Sequence, residues 1–158
     1  MKTHSRLSFE LLSDRWDISA YVKQAVLYHH ENVDGSGYPK GIKGTEQSIF
    51  VRVLRVADVY DALTSKRPYK RTYSPYEAAE YLMGACGTLF DQQVVQVLVQ
   101  YVPLYPKGSR VNLSDGRGAL IFENSGEHNL RPVLLMEDGS RLDLLDAKNL
   151  NITILQEG

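Results

Sequence analysis

Cysteine occurs once in the 158 residues, at Cys86, so no disulfide can form within the chain and a reducing compartment is the expected setting. Charge of one sign is not in excess either. The formal net charge of −1 argues against a general nucleic-acid footprint, and DNA is not an expected partner. No apolar run approaches the ~20 residues that a membrane helix needs, and no signal peptide is visible, so a cytoplasmic location is expected. What is present is an average soluble composition, 43% hydrophobic and 23% charged. It suffices for one domain of ordinary size, or for a medium domain with a small appendage.

Histidine is scarce as well, and its placement organises the rest. His29 and His30 stand side by side and His4 lies ahead of them. Directly after the pair, a helical pattern collapses into a loop in which Gly35, Gly37, Gly41 and Gly44 alternate with Asp34, Tyr38 and Pro39. Glycine there permits positive φ and the close approach of a ligand or of another backbone segment. Such a junction suits a metal or an anion better than a generic core.

The chain in order reads as helices followed by strands. Residues 2–13 carry His4, Leu7, Ser8 and Leu11 on one stripe at helical spacing, which points His4 toward the core. This helix begins almost with the chain, as in a natural short protein or a fragment of a longer one. Residues 17–30 repeat the pattern with Ile18, Val22, Ala25, Val26 and His29, starting at Asp17. His30 is rotated about 100° from His29, as neighbours on a helix must be, so the two cannot easily grip one ion from the same side and suit two metals in one cleft, or one ligand beside one supporting residue. Ile49–Leu63 is apolar on most sides yet holds Asp58 and Asp61 at i, i+3. Ser74-Pro75-Tyr76-Glu77 forms a capping box for a helix to about Ala85, and 90–102 is a further helix. Beyond Pro103 and Pro106 the alternation becomes strand-like in 109–113, 117–123, 130–136, 140–145 and 151–155, which suggests a small barrel or curled sheet. The expected fold is α+β: an all-helical bundle in residues 1–103, then a small five-stranded β-barrel-like domain in 104–158.

His4, His29, His30 and Asp58 come from three expected helices. Imidazole with carboxylate suits iron, manganese or zinc, and such sites with open positions activate water. Singly, a histidine on an apolar stripe is more often a hydrogen-bonded core residue, and a helical aspartate is usually a cap or a surface residue. Four together beside a glycine loop favour a site. In Lys66–Arg71, four cations in six residues follow a helix end. Read from the residues alone, this run is either solvated charge or a phosphate contact through Arg67 and Lys70. Cys86 is expected to be a small core residue.

These residues resemble the C-terminal half of an HD-GYP domain, a subgroup of the HD phosphohydrolase superfamily. His29-His30-Glu31 through Asp34-Gly35-Ser36-Gly37-Tyr38-Pro39 is similar to its HHExxDGxGYP signature without a mismatch. Arg55–Thr64, Arg67–Lys70 and Gly87–Asp91 resemble the blocks that follow, and Lys2-Thr3-His4 the segment that supplies an earlier ligand. The resemblance covers roughly residues 2–100, and 105–158 resembles more weakly an appendage found after some of these domains. It implies an all-helical domain with two or three iron or manganese ions, hydrolysing cyclic di-GMP to pGpG and in some members to GMP. It implies metal-ligand roles for His4, His29, His30 and Asp58, and substrate-phosphate roles for Arg67 and Lys70. The loop of Asp34, Gly35, Gly37, Tyr38 and Pro39 is expected to shape the site and to meet partner domains such as GGDEF cyclases.

One departure stands against this match. The sequence contains no His-Asp dipeptide; its histidines precede Ser5, His30, Glu31 and Asn129. The HD pair and its lysine belong upstream of residue 2, so these residues alone are expected to be inactive or nearly so, and to self-associate through apolar helix faces left uncovered. The alternative is a non-catalytic module of bacterial signalling that binds cyclic di-GMP or a protein partner.

Overall fold

The computed structural model describes residues 3–66 and 71–155. Among them, five helices precede five strands: α1 (His4–Ser13), α2 (Ala20–Tyr28), α3 (Ile49–Thr64), α4 (Pro75–Gly84), α5 (Gln92–Tyr101), β1 (Arg110–Leu113), β2 (Gly118–Glu123), β3 (Val133–Met136), β4 (Arg141–Asp143) and β5 (Ile154–Leu155). The class is α+β. The chain divides into two compact units, residues 1–96 and 97–158, with the division inside α5.

In the first unit, local chemistry moves several helix ends from their expected places. Asp17 does not start α2. Arg15 holds its carboxylate with two hydrogen bonds, of 2.8 and 2.7 Å, and the hydrogen bond keeps that carboxyl below its ordinary range. Ser19 caps the helix instead: its backbone is extended and its Oγ accepts from the Val22 N–H at 3.4 Å. The helix stops at Tyr28, with His29 as its C-cap, two residues short of expectation. At α4 the capping box forms as read, with Ser74 Oγ accepting from Glu77 N–H and Glu77 Oε2 accepting from Ser74 N–H. The last helix starts at Gln92 rather than Phe90, because Asp91 accepts from the Val94 N–H and caps it, while Phe90 is buried ahead of it.

Buried apolar side chains of this unit include Val51, Val56, Leu63, Ala78, Ala79, Leu82, Phe90 and Val95. The stripe on α1 is not among them. His4 and Leu7 are exposed, Leu11 is 81% exposed, and Ser5 is the buried position of that helix. Trp16 just beyond is 95% exposed. The expectation that this stripe faces a core is therefore overturned within the described residues. Its periodicity is that of a buried face, but the described chain supplies nothing to cover it.

The second unit is an antiparallel sheet in the order β4-β3-β2-β1-β5. Val111, Leu113, Ala119, Ile121, Leu134 and Met136 alternate onto one face and pack with Leu144 and Ile152. Asp115-Gly116 and Asp138-Gly139 make the turns as read. Each glycine has a left-handed φ, of 86° and 81°, and each aspartate accepts from the backbone N–H two residues on. The strands are shorter than expected, and β4 and β5 lie at opposite edges of the order without pairing among the described residues. The sheet is thus open, where a closed, barrel-like one was expected.

Candidate metal centre

The site is built where α2 ends. The α-helix ends at Tyr28, and a tight turn, in which Glu31 N–H donates to Tyr28 O at 2.8 Å, carries His29 and His30. Both rings turn toward His4 on α1. His4 Nε2 lies 3.3 Å from His29 Nε2 and 2.9 Å from His30 Nε2. One nitrogen from each of the three rings falls within 4.8 Å of the others. The expectation that adjacent histidines face different sides does not hold for the rings: both lie against His4, although His29 keeps a right-handed helical backbone at φ −62° and ψ −6°.

Hydrogen-bond arithmetic shows what this cluster fits. His29 Nδ1 lies 2.8 Å from the Val26 carbonyl, and donation there leaves Nε2 as a lone pair. His4 Nε2 has at most one proton to offer the two nitrogens that face it. His30 is pushed down to about 4, by burial first and then by its neighbours His29, His4 and Arg55 against the pull of Asp58. It is a neutral imidazole at pH 7. Converging lone pairs repel unless a cation lies between them, and an ion holding imidazoles at ~2.1 Å separates their nitrogens by roughly 3.0–3.4 Å. The two spacings to His4 Nε2, 2.9 and 3.3 Å, lie near that range, and all three nitrogens fall within 4.8 Å of one another. The Val26 carbonyl behind His29 is the kind of backing that metal-ligating imidazoles use.

Asp58 on α3 does not join the three-nitrogen group. It is half-buried, and its charge acts on His30, Tyr38 and Arg55. Arg67 and Lys70 lie outside the described residues. Asp61 is exposed and accepts from Ser65 Oγ.

The glycine loop folds back over the histidine pair. Asp34 Oδ1 accepts from the Ser36 N–H at 2.8 Å, and hydrogen bonding to Ser36 holds its carboxyl below the usual range. Gly35 and Gly41 have φ of 85° and 71°. Gly37 lies so close to residues 30–32 that a Cβ there would stand 2.4 Å from Asn32 N and Glu31 Cα and 2.5 Å from His30 O. Tyr38 N–H donates to His30 O at 3.2 Å, and its ring stacks on His30 at 4.7 Å between centroids. The Tyr38–Pro39 peptide is cis.

Three residues without an assigned role from the sequence support this arrangement. Glu31 is fully buried and accepts from the Lys40 and Gly41 N–H groups. Buried Gln47 donates to the Asn32 and Ile42 carbonyls. Arg55 donates through Nε and Nη2 to Asn32 Oδ1, and its guanidinium lies over the Phe90 ring at 5.5 Å. Burial lowers Arg55, against Asp58, Tyr81 and Tyr38. The available signal was a loop rich in main-chain N–H groups, each of which needs an acceptor.

Known proteins match this arrangement of helices and loop. Residues 1–94 match the HD domain family. A cyclic di-GMP phosphodiesterase of Pseudomonas aeruginosa is 38% identical over 84% of this chain and 32% of its own length. The cyclic di-GMP phosphodiesterase response regulator RpfG of Xanthomonas campestris is 43% identical over 63% of this chain and 27% of its own. A 3'3'-cGAMP-specific phosphodiesterase of Vibrio cholerae is 33% identical over 64% and 20%. Two solved structures share the fold. A cyclic GMP-AMP specific phosphodiesterase of V. cholerae has a TM-score of 0.52 at 24% identity, covering 63% of this chain and 22% of that one. An HDGYP protein from Bdellovibrio bacteriovorus has 0.50 at 23%, covering 61% and 30%. The chain belongs to the HD domain family, in its HD-GYP group. It spans about a third or less of the length of these curated relatives.

Proposed function

We propose that this chain carries the loop-bearing half of a metal-dependent phosphodiesterase that hydrolyses a 3',5'-cyclic dinucleotide, cyclic di-GMP first, to pGpG or GMP. The observation that carries this reading is the convergence of His4, His29 and His30 through nitrogens 2.9 and 3.3 Å apart. These three hold a divalent transition metal, iron or manganese, with Asp58 as a fourth ligand or as a charge beside it. The ion would supply a Lewis acid and an activated water at the phosphodiester. The chain's own residues orient it: Val26 O sets the tautomer of His29, and Tyr38 covers His30. Arg67 and Lys70 bind substrate phosphate, with arginine suited to a bidentate grip. Relatives named for cyclic di-GMP and for 3'3'-cGAMP support the substrate class.

The helical domain of this reading is residues 1–103, an incomplete bundle, and the β domain is residues 104–158. With no His-Asp dipeptide among the 158 residues, the opposite wall of the site comes from an HD-bearing segment. The exposed apolar face of Leu7, Leu11, Trp16, Tyr21 and Phe50 is where that segment docks, and it drives self-association when the segment is absent. Partners reach the site through the 34–39 loop, GGDEF-type signalling proteins among them, and the setting is the bacterial cytoplasm. Hydrolysis of cyclic di-GMP by these residues alone is expected near background. It is expected to appear when an HD-bearing segment is joined upstream. Equal turnover by both chains overturns the incompleteness. Tight cyclic di-GMP binding without turnover by either chain favours a non-catalytic binding or protein-interaction module, the reading that the missing dipeptide supports.

A further inference from the structure

We infer that Glu31 is a positioning residue, whose carboxylate clasps the 37–41 segment onto the histidine pair and thereby sets the ring of His30. The side chain is fully buried, yet the hydrogen-bond partners of its oxygens are main-chain amides rather than a cation: Lys40 N–H at 2.7 Å and Gly41 N–H at 3.0 Å on Oε1, with Gly41 N–H also 3.0 Å from Oε2. Burying a carboxylate is costly unless its hydrogen bonds are made, and amide-to-carboxylate bonds are among the strong ones. A residue satisfied this way fixes backbone.

What it fixes is specific. Glu31 follows His30 directly, and the segment it grips carries Tyr38. Between these anchors Gly37 is pressed against residues 30–32 and Tyr38 N–H donates to His30 O. The Tyr38 ring then lies on His30 with planes 25° apart. Releasing the far end at Lys40 and Gly41 frees the segment to lift, and the stack with it. Glutamine cannot substitute fully, because its NH2 would face an N–H donor; aspartate is one methylene short.

The consequence for metal binding rests on the metal-centre reading, while the clasp itself does not, and the test separates them. The histidine ring signals are followed by carbon-13 NMR in the metal-free chain, assigned by single His→Gln variants, with Tyr38→Leu defining the ring-current shift on His30. Co2+ affinity is read from its d–d absorbance. Glu31→Gln and Glu31→Asp are expected to keep helical circular dichroism while losing the His30 shift, and to weaken Co2+ binding about 10-fold to 100-fold. The clasp is overturned if a folded Glu31→Gln keeps the His30 shift. It is equally overturned if both variants lose helix and shift together, which makes Glu31 a core residue only. A Glu31-dependent shift in a chain that binds no Co2+ supports the clasp and sinks the metal reading alone.

Discussion

A single methyl group at Gly37 is enough to disturb the loop over the histidines. Its nearest contacts would be backbone atoms of residues 30–32 at 2.4–2.5 Å, which no rotamer change relieves. Gly37→Ala is expected to cost about 1–3 kcal/mol in urea melts, and to weaken metal affinity alongside. Gly84→Ala is the matched control. It lies in α4 with nothing within 4 Å of the added carbon, so it is expected to be neutral or mildly stabilising. At this scale the sequence was legible for residue type and not for direction. The scarcity of histidine and the glycine spacing marked the place. Nothing in the sequence said that the α-helix ends at Tyr28 or that His29 and His30 both lie against His4. Glu31 was opaque for a related reason, since a glutamate beside a loop reads as solvent-exposed until its amide partners are known.

Among the described residues, one ion pair ties two helices of the first unit together. Arg52 on α3 meets Asp91 at 2.5 Å, and the same carboxylate caps α5 through Val94 N–H. Burial raises the Asp91 carboxyl, but the hydrogen bonds from Arg52 and Val94 outweigh it and leave the group below its ordinary value. Its stabilisation is therefore present above the unfolded carboxylate range of ~4 and is lost as pH falls through the lower folded value. Asp91→Asn is expected to lower stability by about 2 kcal/mol at pH 6 in urea melts. The gap to the parent chain should close toward pH 3. The starts of α2 and α5 apart, signals with a local mechanism were read correctly, as the capping box at Ser74 and the Asp-Gly turns show. Signals that depend on tertiary partners were not. The α1 stripe has the period of a buried face, and burial is a property of what lies opposite.

At the scale of the whole molecule, the exposed apolar residues of α1 and its surroundings test the proposed docking of an HD-bearing segment. Leu11→Ser and Trp16→Ser are each expected to change stability by no more than about 0.5 kcal/mol in this chain, as exposed positions do. The pair should reduce self-association in sedimentation runs across a concentration series. With an HD-bearing segment joined upstream, the same substitutions should become destabilising by about 2 kcal/mol or more, because the residues are then buried. If they stay neutral there, the segment docks elsewhere.

The account stands on three imidazoles sharing an ion, and metal stoichiometry after Mn2+ or Fe2+ loading tests that most directly. The chain is expected to retain metal after desalting and to lose it in His4→Ala, His29→Ala and His30→Ala separately. His128→Ala, at the exposed fourth histidine in the other unit, should retain it. Metal retained by all three site variants, or never held by the parent chain, would contradict the account.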